Sequence, residues 1–557
     1  MQKLKIGIIV DDMHVPKYYY DLIHKINNNN IFYTPVIINQ NIGIYKKLNL
    51  SIFSRLLGIV KGNSASSILR SIFSRIIIFI ESRFLLKNVI YANYDLNVSI
   101  DKKFEVLNVN PDISKSGFVY RYDNNSIQSI KDLDLDLMLR FGSGILKGNV
   151  LKCCKFGILS LHHGDNREFR GTPSGFWEVF YSKPSTGFII QQLTEELDAG
   201  KVLYRGNIMT ASYWLKNRAN ISIKSMVFLY KLLENIANKQ SLPAYEDSAN
   251  VSEKLYKYPS LKCLIRYFLL VHAPAAIKIL RNFFFHKTKL RWRVLFLKNT
   301  KQNMNLCDAK NILNPENSFL ADPFVVDKDD QTFCFVEEFC YKENKGKISS
   351  YILHEDGAIR MGTAIEENFH LSFPYIIEHD QDLYMIPESA SNRDIRLYKN
   401  ISFPNEWVLE EILMRDIDAA DTVVFFQDNY WYMLTNICSS NISDHQSELH
   451  LFSSKSLISN QWMPAETNPI IFNSLKARNG GCFYQNGYQY RVNQVHAKSH
   501  YGQALEINKI INISPSSYAE EKVLEITPDL LQGAKSTHHF DKSKHFIVFD
   551  CAKEEII

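Results

Sequence analysis

The chain has little of what would mark a metal, disulfide or membrane protein. Its nine cysteines, among them Cys153, Cys154, Cys263, Cys334 and Cys482, form no CxxC pair and no regular framework. Neither zinc-ligand spacing nor a disulfide scaffold is indicated, no metal is expected, and a reduced compartment is. No uncharged apolar run reaches the ~18 residues of a membrane span. The opening MQKLKIGIIVDDM ends its apolar run in two aspartates and reads as a buried first strand, not a signal peptide. No GxGxxG follows that strand, which argues against a dinucleotide fold. The formal charge of +5 over 557 residues is too small to point to nucleic acid. These absences lead to the expectation of a cytoplasmic protein without a nucleic-acid partner.

One absence is local. From Lys254 to Cys307 there is no Asp or Glu, while twelve Lys and Arg occur, interleaved with LIRYFLL and ILRNFFF. Such a segment suits an interfacial helix at the inner face of an anionic membrane, or a linker whose cations are simply solvated.

What is present is a long, folded chain: 46% apolar, 22% charged and 13% aromatic residues, with a length that predicts more than one domain. The C-terminal half repeats. FLADPFVVDKDDQTFCFVEEF (319–339), HLSFPYIIEHDQDLYMIPES (370–389), DAADTVVFFQDNYWYMLTN (418–436), ARNGGCFYQNGYQYRVNQ (477–494) and STHHFDKSKHFIVFD (536–550) each place a polar turn between two apolar runs. That is a hairpin signature. Spacings of 51, 48, 58 and 59 residues, from Pro323 to Pro374, Thr422, Gly480 and His539, suit four-stranded blades that bury their faces only against neighbours. A five-bladed propeller over 290–557 is predicted, with LRWRVLFL (290–297) closing the ring. Asp322, Glu338 or its neighbour Glu337, Glu388, Asp421, Arg478 and His538 are expected to converge on its channel. Several carboxylates there form a possible sugar site, because glycoside cleavage needs a paired acid and base.

In the N-terminal half, LKIGIIV reads as a strand and HVPKYYYDLIHKI as a helix, the start of a mostly parallel α/β sheet. The run LDLMLRFGSGIL (135–146) is a second buried strand ending in Gly142 and Gly144, and FGILSLH is a third, ending at His162. Open α/β sheets place ligands at such carboxyl ends.

At these residues the chain resembles the formyltetrahydrofolate-dependent formyltransferases. The carriers are Ser160-Leu161-His162, Arg170-Gly171 with Pro173 and Trp177, and Leu197-Asp198-Ala199-Gly200, covering roughly 1–215. Ser160 stands where that family has asparagine, and its hydroxyl can donate one hydrogen bond. The resemblance implies 10-formyltetrahydrofolate held by Arg140, Phe141, Gly142, Ser143, Gly144, Ile145 and Leu146. It further implies His162, Asp198 and Ser160 at the reacting carbon, with His163, Asp165, Arg167 and Arg170 toward the substrate. The second half is similar to the propellers of family 43 glycoside hydrolases and to the N-terminal domain of the glucosamine inositolphosphorylceramide transferases, through LADPFVV, FVEEF, YMIPES, DTVVF, ELHLF and ARNGG.

The expected organisation is a formyltransferase-like domain over 1–215, a helical basic linker over 216–289 and the propeller over 290–557. The expected function is N-formylation of a nucleotide- or lipid-linked amino sugar, the propeller binding the acceptor glycan. Two alternatives stay open: a propeller-centred glycosidase or glycosyltransferase, and a noncatalytic glycan-binding scaffold.

Overall fold

The computed structural model describes residues 3–42, 65–85, 93–97, 104–115, 117–195, 200–246, 252, 254–284, 288–300, 306–440, 442–497, 500–531 and 533–556. The chain divides into two compact units, Met1–Ala276 and Ile277–Ile557.

The first unit is built on a seven-stranded sheet. Its strands are β1 (Ile6–Val10), β2 (Val36–Asn39), β3 (Val106–Asn108), β4 (Leu137–Phe141), β5 (Ile158–His162), β6 (Ser185–Gln192) and β7 (Lys201–Met209). Their order is β7-β6-β5-β4-β1-β2-β3, parallel from β5 to β3, with β6 and β7 antiparallel at the other edge. IGIIV and LMLRF are buried at every position, as central parallel strands must be when both faces are covered.

The helices are α1 (Lys17–Asn27), α2 (Ala65–Ile80), α3 (Asn124–Asp132), α4 (Phe176–Phe180), α5 (Trp214–Lys239) and α6 (Leu261–Tyr267). A π-helical turn, Phe268–His272, carries α6 into α7 (Ala273–Phe284). Asp123 caps α3 by accepting from the Ser126 amide at 2.9 Å, and Ile127 and Ile130 pack on Ile9, Ile38, Met138 and Ile158. Helix α5 packs on β6 and α1.

The helices bear on two of the expectations above. The helical linker expected over 216–289 is not a separate element up to Ala276. Helix α5 buries Trp214, Leu215, Phe228, Leu229 and Leu233 in the first unit. The absence of acidic residues begins only at Lys254, so it never described α5. Second, the helix Leu261–Arg281, 21 residues long with a mean hydropathy of 1.6 over an 18-residue stretch, is long and apolar enough to cross a membrane. A search for uncharged runs passes over it because Arg266 and Lys278 interrupt the run.

The second unit is a five-bladed propeller, as predicted. Four blades are successive four-stranded meanders, the third carrying an additional short strand, with innermost strands Ser318–Lys328, Ser372–His379, Ala419–Gln427 and Asn479–Gln485. The fifth joins Phe540–Lys542 and Phe546–Ile556 to Thr288–Lys298 and Lys310–Asn311 from the unit's start. Thr288–Lys298 pairs along its whole length with Phe546–Ile556, so one blade uses both ends of the unit and closes the ring.

The polar turns explain the hairpins. Asp329-Asp330, Asp380-Gln381, Asp428-Asn429 and Asn486-Gly487 all have positive φ at both positions, the two-residue turn that matches strand twist. The innermost strands of the first three blades also share a bulge. Asp322, Phe373 and Asp421 sit at φ 49, 46 and 49 where the register skips a pair. A bulge re-aims side chains, and here it recurs where the repeats place their polar residues.

Candidate functional site

Three strands of the first unit align one polar row. Ser160 on β5 stands opposite Arg140 on β4 and opposite Gln191 on β6. Residues in register share a face, and His162, two positions along β5, shares it too. These side chains, with Gly142, Gly144, Ile145, Leu146, Thr194 and Gly200, line a cavity of about 200 Å³ at the carboxyl end of the parallel strands.

Arg140 is 6% exposed, and burial pushes its pKa down. Its Nη2 donates to the Ser143 carbonyl and its Nη1 lies 3.9 Å from Asp11 Oδ1, while Nε and Nη1 make no hydrogen bond among the described residues. Asp11 Oδ2 in turn accepts from the Ser143 amide at 2.9 Å and hydroxyl at 2.7 Å, which fixes the loop. The glycines have a steric reason. A Cβ on Gly142 would meet Arg140 Nη1 at 2.3 Å, and one on Gly144, at φ +79, would meet the Tyr120 ring at 2.6 Å.

Of the cofactor set expected from sequence, Arg140, Gly142, Gly144, Ile145 and Leu146 line the cavity, and Phe141 and Ser143 do not. Phe141 stacks on Tyr19 of α1, and Ser143 is bound to Asp11. Of the catalytic set, Ser160 and His162 come together in the cavity, with His162 Nε2 3.4 Å from the Phe169 carbonyl. Asp198 lies outside the described residues, which resume at Gly200 on the cavity wall.

The four residues expected to face substrate are placed otherwise. His163 turns to α5, its Nε2 3.0 Å from Ser225 Oγ, and burial pushes its pKa down to about 3, so the ring is neutral. Asp165 bridges Arg167 and Arg205, each at 2.6 Å. Burial works to raise the Asp165 carboxyl, but its hydrogen bonds from Arg167 and the Arg205 charge hold it below its ordinary value. Arg170 Nη1 donates to the Ser252 carbonyl at 3.0 Å. These four do not line the cavity; they brace the loop that carries His162. Sequence reasoning missed Gln191, although a glutamine pair inside the apolar run FIIQQL was a readable signal. Gln191 is 7% exposed and its Oε1 accepts no hydrogen bond among the described residues.

On the propeller axis, Asp421 Oδ2 accepts from Arg478 Nε at 2.6 Å and from Gln494 Nε2 at 3.0 Å. Arg478 Nη2 lies 3.8 Å from Glu388 Oε2. His538 and His539 both donate backbone N–H groups to Asp550 Oδ1 at 3.0 Å, and Asp322 Oδ1 lies 3.9 Å from His538 Nε2 and 3.7 Å from His539 Nδ1. Trp292 stacks on His538 at 3.9 Å. Asp322, Glu388, Asp421, Arg478 and His538 thus converge as expected.

Glu338 does not join them. It accepts from Ser349 Oγ at 2.7 Å and Arg360 Nη2 at 3.0 Å. Successive strand residues point to opposite faces, so Glu337 is the residue turned to the axis, where it feels Asp322 and Glu388.

Burial pushes Asp322 up to about 7, with His538 opposing and Asp550 and Asp421 adding. Burial and neighbouring carboxylates likewise raise Glu337 and Glu388 well above the carboxylate range. For Asp550, burial is outweighed by His538, and its pKa falls. Donor atoms of Asp322, His538 and Asp550 lie within 4.8 Å of one another, as do those of Asp418, Cys438 and His445. In both groups the histidine is already engaged by an aspartate, so each is an ion-pair cluster as it stands.

A second cavity, about 380 Å³, is lined by the later residues of the inner strands. Phe324, Tyr375, Trp431, Phe483, Asp541 and Lys542 are among its walls. Asp541 is 6% exposed, accepts from the Val325 amide at 3.0 Å, and is pushed up from 3.8 to about 7 by burial. A raised carboxyl contributes stability that is complete below its unfolded pKa and lost as pH climbs to its folded one. Asp541→Asn is therefore expected to match the wild-type melting temperature near pH 4 and to exceed it increasingly up to about pH 7, then level off. Thermal melts across that window check this, and a pH-independent difference would refute it.

The fold is thus an α/β unit joined to a five-bladed propeller, each with its own polar cavity. Residues 302–551 match the family model described as glucosamine inositolphosphorylceramide transferase 1, N-terminal. The Arabidopsis thaliana protein named glucosamine inositolphosphorylceramide transferase 1 is 30% identical over 234 residues, 40% of this chain, and the chain spans only 30% of that relative's length. The methionyl-tRNA formyltransferase of Borrelia garinii subsp. bavariensis is 32% identical over 92 residues, 16% of this chain and 29% of its own. The alpha-L-arabinanase of Cellvibrio cellulosa, a solved structure, shares 14% identity over 40% of this chain and 81% of its own, with a TM-score of 0.29.

Proposed function

We propose that the first unit transfers a formyl group to the amine of a nucleotide- or lipid-linked amino sugar, and that the propeller binds the glycan to be modified. The observation that carries this reading is the cavity in which Arg140, Ser160, Gln191 and His162 meet. Acyl transfer to an amine puts negative charge on the carbonyl oxygen and releases a proton from nitrogen. Ser160 Oγ is a hydrogen-bond donor for that oxygen, and the His162 imidazole takes and returns the proton.

The donor set fits the heterocyclic end of formyltetrahydrofolate. Among the described residues, buried Arg140 Nε and Nη1 donate no hydrogen bond and buried Gln191 Oε1 accepts none. At about 200 Å³ the cavity is below the ~300–1,000 Å³ of a drug-sized site, so it holds the ring and not the tail. When bound, the cofactor supplies the activated formyl group. Arg140 and Gln191 would orient it.

Calorimetry with a stable formyltetrahydrofolate analogue tests the reading. One site per chain is expected, weakened about ten- to a hundredfold by Arg140→Met, since a hydrogen bond to a charged group contributes about 1.5–3 kcal/mol. Absence of binding by the wild type would refute it.

The relatives' name supports a sugar-handling role for the propeller. So do the aromatic walls and the two carboxylates, Glu378 and Asp541, of its cavity, which suit the apolar faces and hydroxyls of a sugar ring. A propeller-centred glycoside chemistry is favoured by the gathering of buried carboxylates on the axis, where burial pushes Asp322 up to about 7 and raises Glu388 as well. Under that reading Asp322→Ala abolishes turnover of a glycoside and His162→Ala does not.

A further inference from the structure

Helices α2 and α6 pack against each other in the first unit, and each turns an apolar face outward. On α2 the exposed apolar residues Leu69, Ile72, Ile76 and Phe79, 54, 50, 45 and 63% accessible, lie along one side, with Ile78 exposed beside them. Their spacing of three, four and three residues is one helical stripe. The opposite side, Phe73 and Ile77, packs with Leu264, Tyr267 and Phe268. On α6 and the π-helical turn, Ile265, Leu269 and Leu270 are exposed while Leu264 and Tyr267 are fully buried.

A buried carboxylate locks the pair. Glu81, 0% exposed and one residue past α2, accepts from Tyr267 Oη at 2.6 Å and from the Leu215 amide at 2.7 Å, and its Oε1 lies 3.1 Å from His272 Nε2. Exposed apolar stripes on rigid, packed helices are a binding surface and not a loose core.

The charges identify the occupant. Arg70, Arg75, Lys262 and Arg266 are all exposed, and neither α2 nor the Leu261–Arg281 helix contains an acidic residue. Cations flanking apolar side chains, with no counter-charge of their own, complement an anionic lipid surface. We propose that α2 and α6 form a docking face that lies on an anionic bilayer. Although Leu261–Arg281 is long enough to cross, crossing would pull Leu264, Tyr267 and His272 out of the core and strip Glu81 of two partners. The helix therefore lies along the surface, with Leu69, Ile72, Phe79 and Leu269 entering the acyl boundary. This face does not depend on the activity proposed above.

Vesicle flotation of the full chain tests it. The protein is expected to float with vesicles of equimolar phosphatidylcholine and phosphatidylserine, and weakly or not at all with phosphatidylcholine alone. Ile72→Asp with Phe79→Asp is expected to abolish flotation. Arg70→Glu with Arg75→Glu is expected to weaken it at least about tenfold, on the order of 1 kcal/mol being contributed by each cation. All four positions are exposed, so the variants should melt as the wild type does. Failure of the wild type to float, or variants that float unchanged, would overturn the proposal. So would a wild-type oligomer in sedimentation that Ile72→Asp dissociates, which would assign the face to a second copy of the chain.

Discussion

His162→Ala is expected to lower formyl transfer by about 10²–10⁴-fold, the usual contribution of a positioned acid–base group. The side chain sits at the end of β5, half-buried, in the cavity shared with Ser160 and Arg140. Removing an imidazole from this edge leaves the strand pairing with β6 intact, because backbone bonds hold it. The reciprocal change is as informative. Ser160→Asn puts a longer donor where a hydroxyl now reaches, and an oxyanion donor contributes about 10²–10³ in rate. A rise in rate with Ser160→Asn would mean that the serine limits the reaction. Single-turnover measurement of formyl transfer to an amino sugar, with Asp322→Ala as control, decides the matter. Full activity in His162→Ala, or its loss in Asp322→Ala, would move the chemistry to the propeller.

The largest effect on stability is expected at Glu520. Arg491 is 0% exposed and forms two parallel hydrogen bonds to Glu520, Nε to Oε2 at 2.7 Å and Nη2 to Oε1 at 2.6 Å. Its remaining donors reach the Ala477 and Lys476 carbonyls and Asn479 Oδ1 at 2.8–3.3 Å. That network pins the entry of the fourth blade, where Arg478 and Asn479 serve the axis. Glu520→Ala leaves a buried cation without its counter-ion and is expected to cost about 3–5 kcal/mol. The apolar pair Arg491→Met with Glu520→Leu should recover most of it, since a buried ion pair and a packed apolar pair are often equivalent in stability. Urea unfolding checks both, read by tryptophan fluorescence. A loss below about 1 kcal/mol for Glu520→Ala would show that water reaches and screens the guanidinium.

The blades were legible because a repeat constrains itself. A two-residue polar turn such as Asp380-Gln381 forces φ > 0 wherever it occurs, and five copies of one hairpin pattern leave a closed ring as the way to bury all their faces. The N-terminal strands were legible for a similar local reason, since IGIIV and LMLRF are apolar enough only for a sheet covered on both faces.

By itself the sequence determined the two architectures, the convergence of Asp322, Glu388, Asp421, Arg478 and His538, and the meeting of Arg140, Ser160 and His162. The architectures and the convergence in the propeller follow from strand periodicity and the repeat, and the meeting of Arg140, Ser160 and His162 was implied by the resemblance to the formyltransferases. Tertiary structure alone decided which neighbour faces which way. It set Glu337 and not Glu338 on the axis. It paired Asp165 with Arg167 and Arg205, tied Arg170 to the Ser252 carbonyl, and brought Gln191 beside Ser160. It also joined Glu81 to Tyr267 across 186 residues. Ion pairs and cross-strand neighbours depend on distances between segments far apart in the chain, and no local pattern encodes those distances.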